Sequence, residues 1–214
     1  DADRVMFIDE RGRFIQPDYV TAIIGSYYLA KEKGSVLVDI RTSRSTTEYL
    51  KKKGATEVFT WKVGHAFAKM KIRQEKCIFG GELAGHYYFR DFNNCDSGIL
   101  ASLLVLQTVA SLKKEGKTLG DLVDEIVSYA NSGEVNFKLD RKDEAMEEIL
   151  NTDKKQNPSN ILDIDGYRVE FPSWWFSIRK SNTEPYLRLV CEGKSKDELN
   201  TRVKEITEII DNYM

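Results

Sequence analysis

The chain opens with a strand-like apolar run, Val5-Met6-Phe7-Ile8-Asp9, which gives way to a turn at Asp9-Glu10-Arg11-Gly12. Pro17 then stands where helices commonly begin. Val20, Ile23, Ile24, Tyr27, Tyr28 and Ala30 repeat close to i, i+3, i+4, i+7, which predicts a helix over 19–33 that stops at Gly34. Residues 35–40 form a short continuous apolar run of the buried-strand type. A hydroxyl-rich loop over 41–46 and a short helix ending in Lys51-Lys52-Lys53-Gly54 follow. A strand over 57–60, a helix over 65–71 and a second buried-type run at 76–79 continue a β-α-β-α alternation, which argues for an α/β layer with largely parallel strands. A long helix over 96–114 carries Ile99, Leu100, Leu103, Leu104, Leu106, Val109 and Leu112 around much of its circumference, so it is predicted to be buried.

At 113–117 charge and glycine replace periodicity, as in a linker. Beyond it Thr118 is placed to cap a helix running to 129. A strand at 134–139, a helix at 144–149 and a polar loop at 151–160 come next. A three-stranded meander follows at 164–171, 174–179 and 186–192, and a last helix at 196–213 gathers Leu199, Val203, Ile206, Ile209 and Ile210 on one face. The expected fold is thus an α/β/α layered domain with a mixed, largely parallel sheet, followed by a smaller α+β domain with an antiparallel sheet. The expected limits are 13–116 and 117–214, with 1–12 as the tail of a preceding domain. Trp174-Trp175 reads as core.

Composition narrows the function classes. With 214 residues, 41% hydrophobic and 31% charged, the chain can build and cover a packed core. Its 32 Lys+Arg against 34 Asp+Glu leave a net charge of −2, which excludes nucleic-acid binding through a bulk positive field. Any anion site is therefore local. No apolar run approaches the ~20 residues of a membrane helix, so no membrane partner is expected. Three scattered cysteines, with neither CxxC spacing nor a signal peptide, point to a reducing cytoplasm.

Three constellations carry candidate chemistry. In Gly80-Gly81-Glu82-Leu83-Ala84-Gly85-His86 the glycines follow an apolar strand and hold one carboxylate and one imidazole at its end, a pairing suited to a polyol ligand. The same composition is found in ordinary glycine-rich turns. In Arg179-Lys180-Ser181-Asn182-Thr183-Glu184-Pro185 a guanidinium fork, hydroxyls, an amide and turn N–H groups make a cradle for a phosphate dianion, with Arg188 just beyond. A polar hairpin turn is the alternative. Asp1-Ala2-Asp3-Arg4 offers alternate carboxylates, hard oxygen ligands of the kind Mg²⁺ takes, or else a frayed acidic terminus. His65 and the segment Arg41-Thr42-Ser43-Arg44 also stand at predicted strand ends, where α/β sheets bind ligands.

These motifs together resemble the α-D-phosphohexomutases, in their phosphomannomutase/phosphoglucomutase branch. The family's sugar signature, Gly-Glu-(Met/Leu)-Ser-Gly-His, is similar to Gly81-Glu82-Leu83-Ala84-Gly85-His86. Its phosphate signature, Arg-x-Ser-Asn-Thr-Glu-Pro, matches the Arg179 turn at every specified position. Asp1-Ala2-Asp3-Arg4 looks like the end of its metal loop, Asp-Gly-Asp-x-Asp-Arg. The resemblance implies the end of the second, all of the third and all of the fourth of four domains, joined to N-terminal domains of the same chain. It implies Mg²⁺-dependent transfer of a phosphoryl group between positions 1 and 6 of a hexose phosphate, mannose or glucose, through a phosphoserine and a bisphosphate intermediate. Glu82, His86, His65, Arg179, Ser181, Asn182, Thr183 and Arg188 would bind substrate. His86 and Arg41 would be catalytic, Asp1 and Asp3 would hold Mg²⁺, and Arg4 would neighbour the phosphoserine. The phosphoserine loop, Thr-x-Ser-His-Asn-Pro, is absent, since no Ser here precedes a His. The segment alone is therefore expected to be inactive.

The departures are Ala84 for Ser, Arg41 where many members have Lys, and Lys180 inside the phosphate turn. Asn182, where the phosphoglucosamine branch has Gly, favours the mannose/glucose branch. A phosphoglucosamine mutase and a non-catalytic phosphosugar-binding module are the competing readings.

Overall fold

The computed structural model describes residues 2–181 and 184–214 and divides into two units, 1–128 and 129–214. The first begins with a small antiparallel hairpin, β1 (Phe7–Ile8) with β2 (Phe14–Ile15). Asp9 builds its turn. The buried carboxylate accepts from the backbone N–H groups of Arg11 and Arg13 at 2.9 Å and from Arg13 Nε at 2.7 Å.

Helix α1 (Pro17–Leu29) starts at the expected proline and ends four residues before the predicted limit. Strand β3 (Val36–Asp39), α2 (Arg44–Lys52), β4 (Val58–Trp61), α3 (His65–Glu75) and β5 (Phe79–Gly81) follow, so Arg44 to Thr46 open a helix where a loop was expected. Ser43 explains this, because its hydroxyl accepts from Ser45 N–H as an N-cap. Strands β6 (Tyr87–Phe89) and β7 (Cys95–Asp96) complete a sheet of order β4-β3-β5-β6-β7, parallel across β4-β3-β5 and antiparallel across β5-β6-β7. Alternation along β3 dictates the layers. Val36 and Val38 pack with α1 and α2, while Leu37 joins Ala68 and Ile72 of α3 on the opposite face. Gly81 permits this closeness, since a Cβ there would lie 2.1 Å from Thr21 Oγ1 of α1.

Helix α4 (Gly98–Lys114) corrects one expectation. Ala101, Leu104 and Val105 are buried, but Ile99, Leu103 and Leu106 are 64%, 58% and 62% exposed. Helix α1 packs on one face of this helix, and its composition concealed which. The domain limit moves as well. Helix α5 (Leu119–Ile126) belongs to the first unit, because Leu119, Val123 and Ile126 enter the first core and Arg11 and Arg13 of the hairpin bind Asp124 at 2.7 and 2.8 Å. The stretch at 113–117 is thus a turn between two helices, and the units part after Ser128.

The second unit comprises β8 (Ala130–Lys138), α6 (Lys142–Lys154), β9 (Asn160–Asp163), β10 (Tyr167–Glu170), β11 (Trp174–Lys180), β12 (Tyr186–Gly193) and α7 (Lys196–Asp211). Its sheet has the order β8-β12-β11-β10-β9, antiparallel throughout. Of the expected first meander strand, 164–171, only β10 is strand; it is preceded by a turn where Gly166 takes φ +76°, and β9 is an additional strand that begins where the polar loop was expected to end. Helix α6 also runs four residues into the predicted polar loop. Ile178, Leu187 and Leu189 pack against Ile149, Leu199, Ile206 and Ile210. Both tryptophans are buried: Trp174 stacks on Phe171 at 4.3 Å, and Trp175 carries Arg168 over its ring at 3.6 Å. Among the described residues no helix is long and apolar enough to cross a membrane.

Asp153 of α6 is buried in a groove of about 310 Å³ shared with Gln156, Glu205, Ile206 and Ile209. Burial, and then Glu205, push its carboxyl from 3.8 up to about 6 against the pull of Arg202. The folded state therefore holds a proton that the unfolded state has lost, and stability falls as pH rises from about 4 to 6. Asp153→Asn, which still accepts from Gln156 Nε2, is expected to gain about 2 kcal/mol at pH 7 and nothing at pH 3.5. Urea melts at the two pH values check this, and an equal gain at both would refute it.

Candidate functional site

Strand β3 is a topological switch point. The chain leaves it through α2 to β4 on one side and returns through α3, on the other face, to β5 on its far side. Carboxyl ends of strands at such a point form a natural crevice. Here they present Asp39, Gly64-His65 and Glu82.

The turn from Glu82 to His86 is closed by Glu82 N–H to His86 O at 2.9 Å and Gly85 N–H to Glu82 O at 3.0 Å, with Gly85 at φ +84°. The Glu82 side chain is buried and receives three donors. Gly64 N–H reaches Oε1 at 2.6 Å, while Tyr88 Oη and His86 Nδ1 reach Oε2 at 2.6 and 3.0 Å. A carboxylate accepts, so Nδ1 donates to Glu82 and Nε2 faces away from it. Burial, then the Glu82 charge, push the Tyr88 hydroxyl far above the ordinary tyrosine range, which keeps it a donor.

Beside this turn lies a second buried knot. Arg41 forks onto Asp39, Nη2 to Oδ2 at 2.7 Å and Nε to Oδ1 at 3.2 Å, and Leu83 N–H donates to the same Oδ2 at 2.8 Å. Burial alone would raise the Asp39 carboxyl, but Arg41 and the two N–H donors hold it below the usual range. Arg41 is itself only 6% exposed, so its guanidinium is committed to holding the loop. Its hydroxyl neighbours are likewise structural, with Ser43 N–H on Asp18 Oδ2 at 2.8 Å and the Thr46 hydroxyl on Asp18 O at 2.9 Å.

The chain start is laid over the turn, with Arg4 bridged to His86 through the backbone and Val5 N–H on Gly85 O at 3.3 Å. This brings Asp3 Oδ2 to 3.7 Å from His86 Nε2, while the Arg4 side chain stays exposed. His65 is exposed at the first residue of α3, one residue past the Gly64 that binds Glu82. Asp1 lies outside the described residues, as do Asn182 and Thr183.

In the second unit, Arg179 of β11 and Arg188 of β12 stand directly opposite one another. Like charges so placed repel. Each has a carboxylate partner: Arg179 Nη2 meets Asp165 at 3.1 Å, and Arg188 meets Glu134 at 3.1 Å and Glu184 at 2.6 Å. Among the described residues, the buried Nε of each arginine has no acceptor. Ser181 N–H to Tyr186 O at 2.9 Å closes the connecting loop, and Lys180 turns out of it to Asp143 at 2.7 Å. Asp39, Tyr88, Lys69 and Asp96 were not singled out from the sequence. A signal existed for Tyr88, which shares the face of its strand with His86 two residues away.

Comparison with known proteins follows the same division. Residues 16–129 match the family model described as phosphoglucomutase/phosphomannomutase, alpha/beta/alpha domain III, and residues 134–209 match that described as its C-terminal domain. A phosphomannomutase of Vibrio cholerae is 37% identical over 212 residues, covering 98% of this chain and 45% of that protein. One from Escherichia coli K12 is 38% identical over 196 residues, 91% of this chain and 42% of its own. A phosphoglucomutase/phosphomannomutase family protein of Burkholderia thailandensis superposes with a TM-score of 0.85 at 24% identity, over 100% of this chain and 45% of that one. The chain spans under half the length of the relatives it matches. With both family models in register and relatives well above 30% identity, the chain belongs to the phosphoglucomutase/phosphomannomutase family.

Proposed function

We propose that this chain is the sugar- and phosphate-binding part of a phosphomannomutase/phosphoglucomutase acting on hexose phosphates, with the phosphoserine supplied by N-terminal domains of the same polypeptide. The observation that carries the reading is the opposed pair Arg179 and Arg188, whose buried Nε donors lack acceptors among the described residues. A phosphate dianion would relieve their repulsion and take both donors. Ser181 lies at the mouth of the same loop, with Asn182 and Thr183 beyond it.

In this reading Glu82 receives a sugar hydroxyl in the acceptor capacity left after its three donors. When the hydroxyl oxygen attacks phosphorus and the serine P–O bond breaks, His86 Nε2 is free to take the hydroxyl proton, because Nδ1–H is already given to Glu82. Arg41 acts through Asp39, which holds Leu83 and hence the turn. Asp3 fits a Mg²⁺ ligand, being a partly exposed carboxylate that accepts no hydrogen bond among the described residues. With Asp1 it would hold the ion, which when bound neutralises charge on the transferring phosphoryl group. Arg4 would then neighbour the phosphoserine. The unpaired cysteines suit a cytoplasmic setting.

Glucose 6-phosphate or mannose 6-phosphate titrated into the isotope-labelled chain is expected to move the amides of 81–86 and 179–188 alone, with no mutase turnover. Turnover by the 214-residue chain, or shifts centred elsewhere, would overturn the reading.

A further inference from the structure

His86 is nine-tenths buried, and its Nε2 makes no hydrogen bond among the described residues. It points between two carboxylates, Asp3 Oδ2 at 3.7 Å and Asp96 Oδ2 at 3.9 Å, and the three ligand atoms lie within 4.8 Å of one another. Two of the three are held from behind. Glu82 takes His86 Nδ1–H at 3.0 Å, and Lys69 Nζ takes the other oxygen of Asp96 at 2.7 Å. A histidine whose far nitrogen donates to a carboxylate is the outer-sphere arrangement that orients imidazole toward a metal. From this geometry we infer a transition-metal site, Asp3–His86–Asp96, selective for Zn²⁺ or Co²⁺ over Mg²⁺.

Selectivity follows from the donor set. One imidazole nitrogen and two carboxylate oxygens suit Zn²⁺, whereas Mg²⁺ takes oxygens and dehydrates reluctantly. Tetrahedral bonds of ~2.0–2.1 Å set ligand atoms about 3.4 Å apart. The two spacings to His86 Nε2 need to contract by about half an ångström or less, while the two carboxylate oxygens, within 4.8 Å of each other, have further to close; the partly exposed Asp3 can supply that movement. Three protein ligands leave a fourth position open, to water or to a phosphate or hydroxyl oxygen. The site is distinct from a Mg²⁺ held by the oxygens of Asp1 and Asp3, because it needs Nε2 and Asp96. It does not depend on Glu82 and His86 touching sugar. Where they do, the bound ion withdraws Nε2 from proton transfer and the metal inhibits.

The test uses Zn²⁺ and Co²⁺ on the purified chain, read by titration calorimetry and by long-range nitrogen–proton spectra of the imidazoles. The chain has two histidines, so the assignment is direct. We expect one equivalent bound at micromolar Kd or tighter and a displaced His86 Nε2 resonance, with His65 unmoved. Binding should fall at least tenfold in Asp96→Asn and survive a hundredfold excess of Mg²⁺. Wild-type affinity in Asp96→Asn, displacement by that Mg²⁺, movement of His65 instead of His86, or a sulfur charge-transfer band placing Co²⁺ on Cys95 would each overturn the site. The imidazole spectrum is recorded on the unaltered chain, so a variant that fails to fold leaves the inference open to refutation.

Discussion

Asp39→Ala is expected to destabilise the first unit by about 3–5 kcal/mol, the largest single-residue effect anticipated in this chain. The carboxylate is 1% exposed and accepts four donors: Arg41 N–H, Nε and Nη2, and Leu83 N–H. Alanine takes the forked carboxylate away from a buried guanidinium and frees the backbone of the Glu82 turn. The expected readouts are a lower urea midpoint and faster exchange of the amides at 79–83. Asp39→Ala combined with Arg41→Met should recover part of the loss, since removing both charges removes the desolvation imbalance. A loss under 1 kcal/mol in Asp39→Ala would contradict the account. Asp39 is held below its ordinary 3.8, so this stabilisation is present above about pH 4 and vanishes as pH falls through the lower folded value.

Arg179→Ala is expected to lower kcat/KM of the full-length protein for hexose phosphates by about 10²–10³-fold, that is, about 3–4 kcal/mol of lost binding to the non-reacting phosphate. Arg179→Lys should recover only a fraction, because an ammonium cannot fork onto phosphate oxygens. The discriminating measurement compares phosphorylated and unphosphorylated sugars, whose affinities should converge in the variant. Arg179→Ala also removes the ion pair with Asp165, so thermal melts are needed, with Arg188→Ala as a second probe at the opposed position. Undiminished affinity for the phosphorylated sugar in both would remove the arginine pair from the proposed grip.

Periodicity made the first unit legible where each element has one dry face. Pro17 marked the start of α1, and the unbroken apolar run Val36-Leu37-Val38 foretold a strand buried on both sides. It failed where burial is set by distant partners. Helix α4 is apolar nearly all round, so its pattern held no record that Ile99, Leu103 and Leu106 face outward. Helix α5 looked like the beginning of a second domain because the glycine and lysines before it resemble a linker. What assigns it is Arg11 and Arg13, over a hundred residues earlier in the chain. The candidate site divides in the same way. Glu82, His86 and Arg179 stand in compact motifs. Asp39, Tyr88 and Asp96 act through contacts that reach 6 to 44 residues along the chain, from Tyr88 to Glu82, Asp96 to His86 and Leu83 to Asp39, and the strand face that Tyr88 shares with His86 is the one local trace of them.

The two sheets also differ in when they can form. The pairings of the first unit are complete once residue 96 has been made, whereas β8 finds its partner in β12, from Tyr186↔Lys138 to Gly193↔Ala130. At about 5–20 residues per second of synthesis, β8 emerges from the ribosome several seconds before the strand that closes on it. During that interval Val135 and Phe137 sit on an open strand, a natural target for a ribosome-associated chaperone, while the β3 sheet behind them can already be closed.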